Sequence, residues 1–292
     1  MKNLHSTIMR ISGNKTEMFC IIGMPGRHSL SPAMYNAAFA KFQMDSIFLA
    51  FDVPRENLRG AIEGMRSFGI KGIILTSPHK EKVMGLVDYV DKKANNIGAV
   101  NTIINNNNIL KGYNTDSDGF YYALKNATGL DNKKFLIFGA GGAARAFVFE
   151  LAEKAKHPEI TIINRNIEHA RKLKMAAKRN AGAEIRVFPA NINNMQAEMK
   201  HADIVVNATN ITLENSSKTP VPKRFMRKEQ VIFDANYVPL KNRFLRDAES
   251  TGCKVINGSE LLLGGGISAF RLFTGRDAPV ETMRNAIKES LK

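Results

Sequence analysis

The chain has 292 residues, of which 44% are hydrophobic and 24% charged, and its formal net charge is +15. This length suggests two domains, and the composition is that of a folded globular protein rather than a disordered one. No apolar run approaches the ~20 residues that a membrane helix needs, and the start "MKNLHSTIMRISGNKTE" lacks a signal-peptide pattern, so a cytoplasmic protein is expected.

The distribution of the basic residues and of the two cysteines disfavours nucleic-acid binding, a metal site and a disulfide. Lysines and arginines are scattered along the chain without a nucleic-acid-binding motif, which disfavours nucleic acid and favours anionic small molecules as partners. Cys20 and Cys253 lie far apart with no His/Cys cluster near them, so we expect neither a metal site nor a disulfide. The sequence leaves the oligomeric state open, a homodimer included.

Apolar runs alternate with helical patterns along the chain, which predicts βαβ units and a largely parallel sheet. In the first part we expect strands at 18–23, 46–52 and 72–76, helices near 31–42 and 55–68, and a hairpin from 99–105 and 109–114 that makes the sheet mixed. In the second part we expect strands at 133–139, 159–164, 184–188, 203–208, 230–235 and 253–258. Two helices are expected to end the chain.

The stretch "GIILTSPHKEKV" ends a predicted strand and then presents Lys80, where a helix could begin. Pro78 cannot donate a ladder hydrogen bond, so the strand should stop before it. Ligands of open α/β sheets collect beyond the carboxyl ends of strands, which makes Lys80 a candidate for chemistry. A lone lysine is more often a solvated side chain, so the neighbouring motifs decide.

Three other motifs bring polar side chains to strand ends or turns. "GMPGRHSLSP" supplies Ser29 and Ser31, "GAVNT" supplies Asn101, and "GYNTDSDGF" supplies Asp116. Taken alone, the two serines are better explained as helix caps.

The second part of the chain opens with a strand, the loop "GAGGAARA" and a helix. Gly139 permits the tight turn, Gly141 lets the backbone approach a pyrophosphate, and Ala144 allows close helix packing. The loop residues Gly139, Ala140, Gly141, Gly142 and Ala143 are therefore predicted to bind a dinucleotide at the helix N-terminus. A glycine-rich turn made only for packing is the alternative.

The end of the next strand indicates which dinucleotide is bound. NAD-specific sites have a carboxylate there, whereas the 2′-phosphate of NADP favours a guanidinium. Asn164 and Arg165 occupy this place and His169 follows one turn later, which favours NADP. The acidic Glu168 beside His169 weighs against NADP. That Arg165 is an ordinary surface arginine is the less favoured alternative.

Taken together, these motifs resemble the shikimate dehydrogenase family. HSLSPxMxNAAF, TxPHK, GAVNT, GxNTDxxG, GAGGAARA, NR and NAT occur in the family's order over nearly the whole chain. The resemblance implies an α/β enzyme that interconverts shikimate and 3-dehydroshikimate using NADP. It implies a mixed-sheet substrate domain (1–116, with helices in 261–292 packing back on it), a Rossmann-type NADP domain (117–260) and a cleft between them.

The resemblance also implies roles for matching residues. Lys80 and Asp116 would form the catalytic pair that takes and returns the hydroxyl proton. The implied substrate-binding residues are Ser29, Ser31 and Tyr237 for the carboxylate, and Thr76, Asn101 and Asp116 for the hydroxyls.

The chain departs from the family pattern at three places. Ile74 replaces an asparagine, Gly265 stands where the family has glutamine, and the loop after NAT reads "NATNITLENSS". Losing polar partners for substrate hydroxyls costs about 1–3 kcal/mol each if the hydroxyls stay buried. An ordinary shikimate dehydrogenase, a paralogue for quinate or another hydroxylated ring acid or polyol, and a non-catalytic nucleotide sensor therefore remain alternatives.

Overall fold

The computed structural model describes residues 11–291. The first part of the N-terminal stretch, on which the signal-peptide prediction depends, lies outside the described residues. The described chain divides into two compact units, one made of residues 11–95, 99–115 and 266–291, the other of residues 96–98 and 116–265. The functions expected for the two domains, substrate binding and NADP binding, remain proposals.

The first unit contains a mixed sheet in the order β2-β1-β3-β5-β6-β4. Its strands are β1 (Glu17–Gly23), β2 (Ser46–Asp52), β3 (Gly72–Leu75), β4 (Tyr89–Val90), β5 (Thr102–Asn106) and β6 (Ile109–Tyr113). β1 is parallel to β2 and β3, whereas β5 is antiparallel to β3 and β6. The predicted hairpin is confirmed, and its turn uses Asn107 and Asn108 at φ 51° and 66°, as mirror-image turns require.

The second unit contains a six-stranded sheet, entirely parallel, in the order β12-β11-β10-β7-β8-β9. Its strands are β7 (Lys134–Phe138), β8 (Glu159–Asn164), β9 (Ile185–Pro189), β10 (Ile204–Asn207), β11 (Val231–Asp234) and β12 (Lys254–Asn257). Their nearly continuous apolar runs are typical of strands covered on both faces. The order reverses between β7 and β10, which is the ligand-binding switch point of a Rossmann-type fold and confirms the predicted fold class.

The helices are α1 (Ser31–Lys41), α2 (Leu58–Ser67), α3 (Lys92–Ile97), α4 (Asp116–Lys125), α5 (Gly142–Lys154), α6 (Ile167–Ala181), α7 (Ile192–Met199), α8 (Ile211–Glu214), α9 (Arg243–Thr251), α10 (Gly258–Thr274) and α11 (Val280–Ser290). The sequence suggested that a helix could begin at Lys80. The structure instead has a single 3-10 turn at Lys82–Gly85. Gly85 ends that turn, where glycine disfavours further helix. No helix in the described chain is long and apolar enough to cross a membrane.

Aromatic rings fill both cores. In the first unit, Phe19 packs against Phe39 and Phe273 with ring centroids 5.3 and 5.0 Å away. A Cβ on Gly72 would lie 2.3 Å from the Phe273 ring, so glycine is required in β3 at this point. In the second unit, the rings of Phe120 and Phe147 stack at 4.2 Å. Burying rings of this size supplies much of the stabilisation of each unit.

Candidate active site

Topology brings the candidate residues of the first unit to one edge of its sheet. β1, β2 and β3 are parallel, so the loops after all three strands leave at the same edge. β5 is antiparallel to β3, so its first residues lie at that edge too, with Thr102 opposite Ile74. The edge therefore gathers the five predicted residues Ser29, Ser31, Thr76, Lys80 and Asn101.

The loop that carries the serines is fixed by Asp52, at the end of β2. Oδ1 of Asp52 accepts hydrogen bonds from the backbone N–H groups of Gly26 at 2.7 Å and Arg27 at 2.9 Å. These two bonds lower the pKa of Asp52 below its ordinary value. The sequence analysis missed Asp52, although an aspartate that closes the apolar run "SIFLAFD" is a recognisable signal.

The two serine hydroxyls lie side by side at this edge. Ser29 Oγ and Ser31 Oγ are 3.0 Å apart, and Ser29 Oγ also accepts the N–H of Ser31 at 3.1 Å. The N-cap of α1 is Leu30, without a side-chain capping bond. Ser29 thus satisfies the first N–H of α1, while the two adjacent hydroxyls also suit a carboxylate.

The turn from Thr76 to Lys80 is tied to the loop after β1. Met24 N–H donates to the Ser77 carbonyl at 3.0 Å, and Thr76 N–H donates to the Ile22 carbonyl at 3.0 Å. A Cβ on Gly23 would lie 2.1 Å from Thr76 Cγ2, so only glycine lets Thr76 approach β1 this closely. Lys80 is half-buried, and its carbonyl accepts the N–H of Val100 at 2.7 Å.

His79, next to Lys80, is fully buried. Its Nε2 lies 2.8 Å from the Val53 carbonyl, so Nε2 carries the proton, and Nδ1 has no hydrogen-bond partner. Burial lowers the pKa of His79, and the nearby charges of Arg55 and Lys82 act in the same direction. The ring is therefore a neutral anchor for the turn that presents Lys80.

Asn101 is held at the start of β5 by Thr115. Its Oδ1 accepts the Thr115 N–H at 2.7 Å, and its Nδ2 donates to Thr115 Oγ1 at 3.1 Å. Leu75 N–H donates to the Asn101 carbonyl at 2.7 Å, which joins this residue to the end of β3. Asp116 follows Thr115 directly and is the first residue of α4.

The glycine loop lies at the switch point of the second sheet, between β7 and α5. Gly139 has φ +112°, and a Cβ there would lie 2.9 Å from the Ala208 carbonyl, so this position requires glycine. Gly141 is exposed, and a Cβ there would meet no atom within 4 Å. The N-terminus of α5 has no side-chain cap, which suits a bound phosphate.

The end of β8 presents the residues predicted to choose the cofactor. Asn166 caps α6 by accepting the N–H groups of Glu168 and His169, at 3.0 and 3.3 Å. Arg165 and His169 are both exposed beside this cap, and Asn164 donates to the Asn166 carbonyl at 2.7 Å. Because Asn166 takes these N–H groups of α6, the exposed Arg165 guanidinium and His169 ring are the groups here that fit a phosphate.

A network that the sequence analysis missed lies at the carboxyl ends of β10 and β11. Asp234 is fully buried there, opposite Asn207 in the ladder. Burial raises the pKa of Asp234, while hydrogen bonds from Asn236, Asn242 and Thr212 oppose that rise. Tyr237, predicted to contact the substrate, is half-buried three residues after Asp234.

The structure shows what the other reactive side chains do. Cys20 and Cys253 are both buried free thiols, and burial raises the pKa of Cys20 to about 12. Among residues 11–291, no group of three or more histidine, cysteine, aspartate or glutamate residues could hold a metal ion.

The glycine loop at the switch point of a parallel sheet and the polar edge of the first sheet are typical of a dinucleotide-binding α/β protein that acts on a small molecule. Three family models match the chain: "Shikimate dehydrogenase substrate binding domain" at residues 21–103, "Shikimate / quinate 5-dehydrogenase" at 122–237 and "Shikimate 5'-dehydrogenase C-terminal domain" at 260–288.

Related proteins match over nearly their full length. The chain is 41% identical to the NADP(+) shikimate dehydrogenase of Moorella thermoacetica (94% of each chain) and 40% identical to that of Methanopyrus kandleri (95% of this chain, 97% of the relative). A crystal structure of Thermus thermophilus shikimate 5-dehydrogenase with NADP(H) and shikimate is similar with a TM-score of 0.83, at 36% identity over 94% of this chain and all of that chain. The protein belongs to the shikimate dehydrogenase family.

Proposed function

We propose that the protein is an NADP-dependent dehydrogenase that interconverts shikimate and 3-dehydroshikimate. The observation that carries this proposal is the gathering of Ser29, Ser31, Thr76, Lys80 and Asn101 at one edge of the first sheet. Its relatives, named NADP(+) shikimate dehydrogenases at about 40% identity, support the same reaction.

The proposed chemistry assigns one task to each polar group. The two serine hydroxyls bind the ring carboxylate, with help from Tyr237, while Thr76 and Asn101 bind ring hydroxyls. The Lys80 amine takes the proton of the reacting hydroxyl on oxidation and returns it on reduction, with Asp116 as its proton-relay partner. A nicotinamide cofactor held at the glycine loop would supply the hydride chemistry that balances this proton transfer in both directions.

Cofactor binding is proposed for the glycine loop Gly139–Ala143, whose backbone fits a pyrophosphate at the N-terminus of α5. Asn164, Arg165 and His169 would bind the adenosine end, with the Arg165 guanidinium on the 2′-phosphate. Because neither Asn164 nor Arg165 is acidic, the usual carboxylate partner of an NAD ribose is missing at this strand end.

A substrate panel tests this function. Purified protein should reduce NADP with shikimate, with much slower turnover when NAD replaces NADP. Quinate and related ring acids belong in the panel, because Ile74 at the polar edge and Gly265 in α10 are apolar where the family has amides. Absence of NADP reduction with every ring acid over a broad pH range would overturn the proposal.

Partners and location are proposed from the sequence. A small anionic substrate is the expected partner, a homodimer is open to test by light scattering, and nucleic acid is disfavoured. Polyanion binding would appear in a filter-binding titration as an affinity that falls steeply with salt and ignores NADP. A cytoplasmic location remains a prediction.

A further inference from the structure

Five hydrogen-bond donors converge on the buried carboxylate of Asp234. Oδ1 accepts from Asn207 Nδ2, from the Asn236 N–H and from Asn236 Nδ2, each at 3.0 Å. Oδ2 accepts from Asn242 Nδ2 at 2.8 Å and from Thr212 Oγ1 at 2.9 Å. Every partner donates, so the cluster fits an ionised carboxylate, which is an acceptor only.

The five donors belong to two segments of the chain. Asn207 and Thr212 belong to β10 and to α8 in the loop after it, and Asn207 Oδ1 also accepts the Thr209 hydroxyl at 2.6 Å. Asn236 directly precedes Tyr237, and Asn242 caps α9 by accepting the Leu245 N–H at 3.2 Å. Each oxygen of Asp234 accepts a hydrogen bond from both segments.

Both segments border the proposed site. The loop after β10 leaves the sheet at the switch point, where Ala208 N–H donates to the Phe138 carbonyl at 2.8 Å, directly before Gly139 of the glycine loop. Asn236 Nδ2 further donates to the Thr209 carbonyl at 2.8 Å, so the turn that carries Tyr237 is bonded to that loop. The loop is the stretch "NATNITLENSS", in which the chain departs from its family.

We propose that Asp234 is a positioning residue, whose carboxylate fixes the loop after β10 and the Tyr237 turn in the arrangement that turnover requires. This inference rests on the proposed function. The altered loop is then kept in place by Thr212, which brings a hydroxyl to the carboxylate and is itself fully buried. Both segments would shift if the carboxylate could no longer accept all five bonds.

Asp234→Asn tests the proposal with little change of shape. The new amide turns an acceptor into a donor among five donors, so at least one bond is lost. We expect kcat with shikimate to fall about tenfold to a hundredfold, since small misplacements in an active site have effects of this size. The calorimetric Kd for NADP should change much less, because the glycine loop and Arg165 have their own supports.

The matched control is Asp203→Asn, at the opposite end of β10. Asp203 makes one comparable bond there, accepting the N–H of Lys134 at 2.9 Å. This variant should have the kcat and KM of the unaltered protein. Asp234→Asn with a lower Tm but unchanged kcat and KM at 25 °C would show that Asp234 only stabilises the fold, and would overturn the proposal.

A milder pair covers the case in which Asp234→Asn does not fold. Thr212→Ser keeps the hydroxyl and should preserve kcat. Thr212→Val keeps the shape but removes a hydroxyl that donates to Asp234 and accepts from Asn207 Nδ2 and Asn236 Nδ2, so kcat should fall about fivefold or more. Equal kcat values for the serine and valine variants would also contradict the proposal.

Amide hydrogen exchange separates this inference from the proposed function. Faster exchange at residues 209–217 and 236–241 is expected in Asp234→Asn or Thr212→Val but not in Asp203→Asn. If the unaltered protein turned over no ring acid, the proposed function would fail while this exchange pattern still supported the positioning role. Unchanged exchange in these segments would overturn the positioning role whatever the activity.

Discussion

At the scale of single residues, Lys80 is the side chain on which the proposed chemistry depends most. It is half-buried at the polar edge, and the turn around it is tied to β1, to Val100 and, through His79, to Val53. These bonds fix the backbone from which Lys80 projects, and a fixed backbone helps to present a side chain for proton transfer.

Lys80→Ala should abolish most activity without unfolding the protein. We expect kcat to fall about a hundredfold to ten-thousandfold, the usual contribution of a general acid–base group. Lys71→Ala is the control, because Lys71 is exposed at the other end of β3. Steady-state kinetics with calorimetric NADP binding checks this. Turnover that survives in Lys80→Ala would remove the lysine from the mechanism.

Arg165→Ala should weaken NADP more than NAD. A charge-assisted bond to the 2′-phosphate is lost only with NADP, so kcat/KM for NADP should fall about tenfold to a hundredfold. Arg179→Ala, at the far end of α6, should leave the preference unchanged. A parallel fall with both cofactors would show that Arg165 does not read the 2′-phosphate.

His79 should make the stability of the protein fall in acid. Its folded pKa lies below the ordinary value of about 6.5, so the neutral ring stabilises the fold above that pH. This contribution is lost as the pH falls through about 6.5 toward the lower folded pKa. His79→Phe keeps a buried ring that does not titrate.

Urea unfolding of both proteins from about pH 7.5 to pH 5 checks this prediction. The free energy of unfolding of the unaltered protein, minus that of His79→Phe, should decrease as the pH falls. The carboxyl groups titrate alike in both proteins and cancel in the difference. A difference that stays constant with pH would contradict the assignment of a buried neutral ring.

At the scale of elements, the end of α3 depends on one glycine and one arginine. Gly98 has φ +74°, and a Cβ there would lie 2.4 Å from Arg145 Nη2 of α5. Arg145 Nε donates to the Ile97 carbonyl at 2.6 Å, which satisfies a carbonyl at the helix end. The guanidinium therefore occupies the space that any side chain at position 98 would need.

Gly98→Ala should lower the free energy of unfolding by about 1–3 kcal/mol, from left-handed strain and the clash. Gly60→Ala is the control, because its Cβ would meet nothing within 4 Å in α2, where alanine is favoured by about 0.5–1 kcal/mol. Adding Arg145→Ala should reduce the loss from Gly98→Ala. Additive losses in denaturant unfolding would show that the clash is unimportant.

Elements with long apolar runs were predictable, and short ones were not. The six strands of the second sheet were predicted because short apolar runs such as "DIVVNA", alternating with helical patterns, are typical of the buried strands of a parallel sheet. β4, with two residues, and α8, with four, carry too little periodicity to recognise. Asn101 and Ser29 were proposed from their motifs, and their roles stay predictions. Asp52 has a signal in its strand-end position, whereas the role of Asp234 depends on contacts with segments distant in sequence, which no local motif shows.

At the scale of the whole molecule, two positions at which the chain departs from the family pattern carry our prediction for substrate choice. Ile74 lies in β3 opposite Thr102, at the polar edge, and Gly265 is half-buried in α10. The resemblance to the family indicates an amide at each position. Two lost hydrogen bonds to substrate hydroxyls would change selectivity more than fold, because most of the chain keeps the family motifs.

Ile74→Asn combined with Gly265→Gln should raise kcat/KM for shikimate relative to the other ring acids. Each restored hydrogen bond has an expected effect of about fivefold to tenfold, from about 1 kcal/mol. The two single variants are the controls, and the same substrate panel is the measurement. Unchanged selectivity in the double variant would show that these positions do not define the substrate.

The packing of Phe19 against Phe273 has a consequence for how the protein is made. Phe19 leaves the ribosome long before Phe273, so the part of its ring that Phe273 covers stays exposed until α10 emerges, although Phe39 can already pack on it. The parallel sheet, by contrast, comes from one nearly continuous stretch of chain that is complete before the last helix is released. Premature termination near residue 265 would thus leave an intact second unit attached to an incompletely folded first unit. The apolar surface exposed on that first unit would bind chaperones and attract proteases.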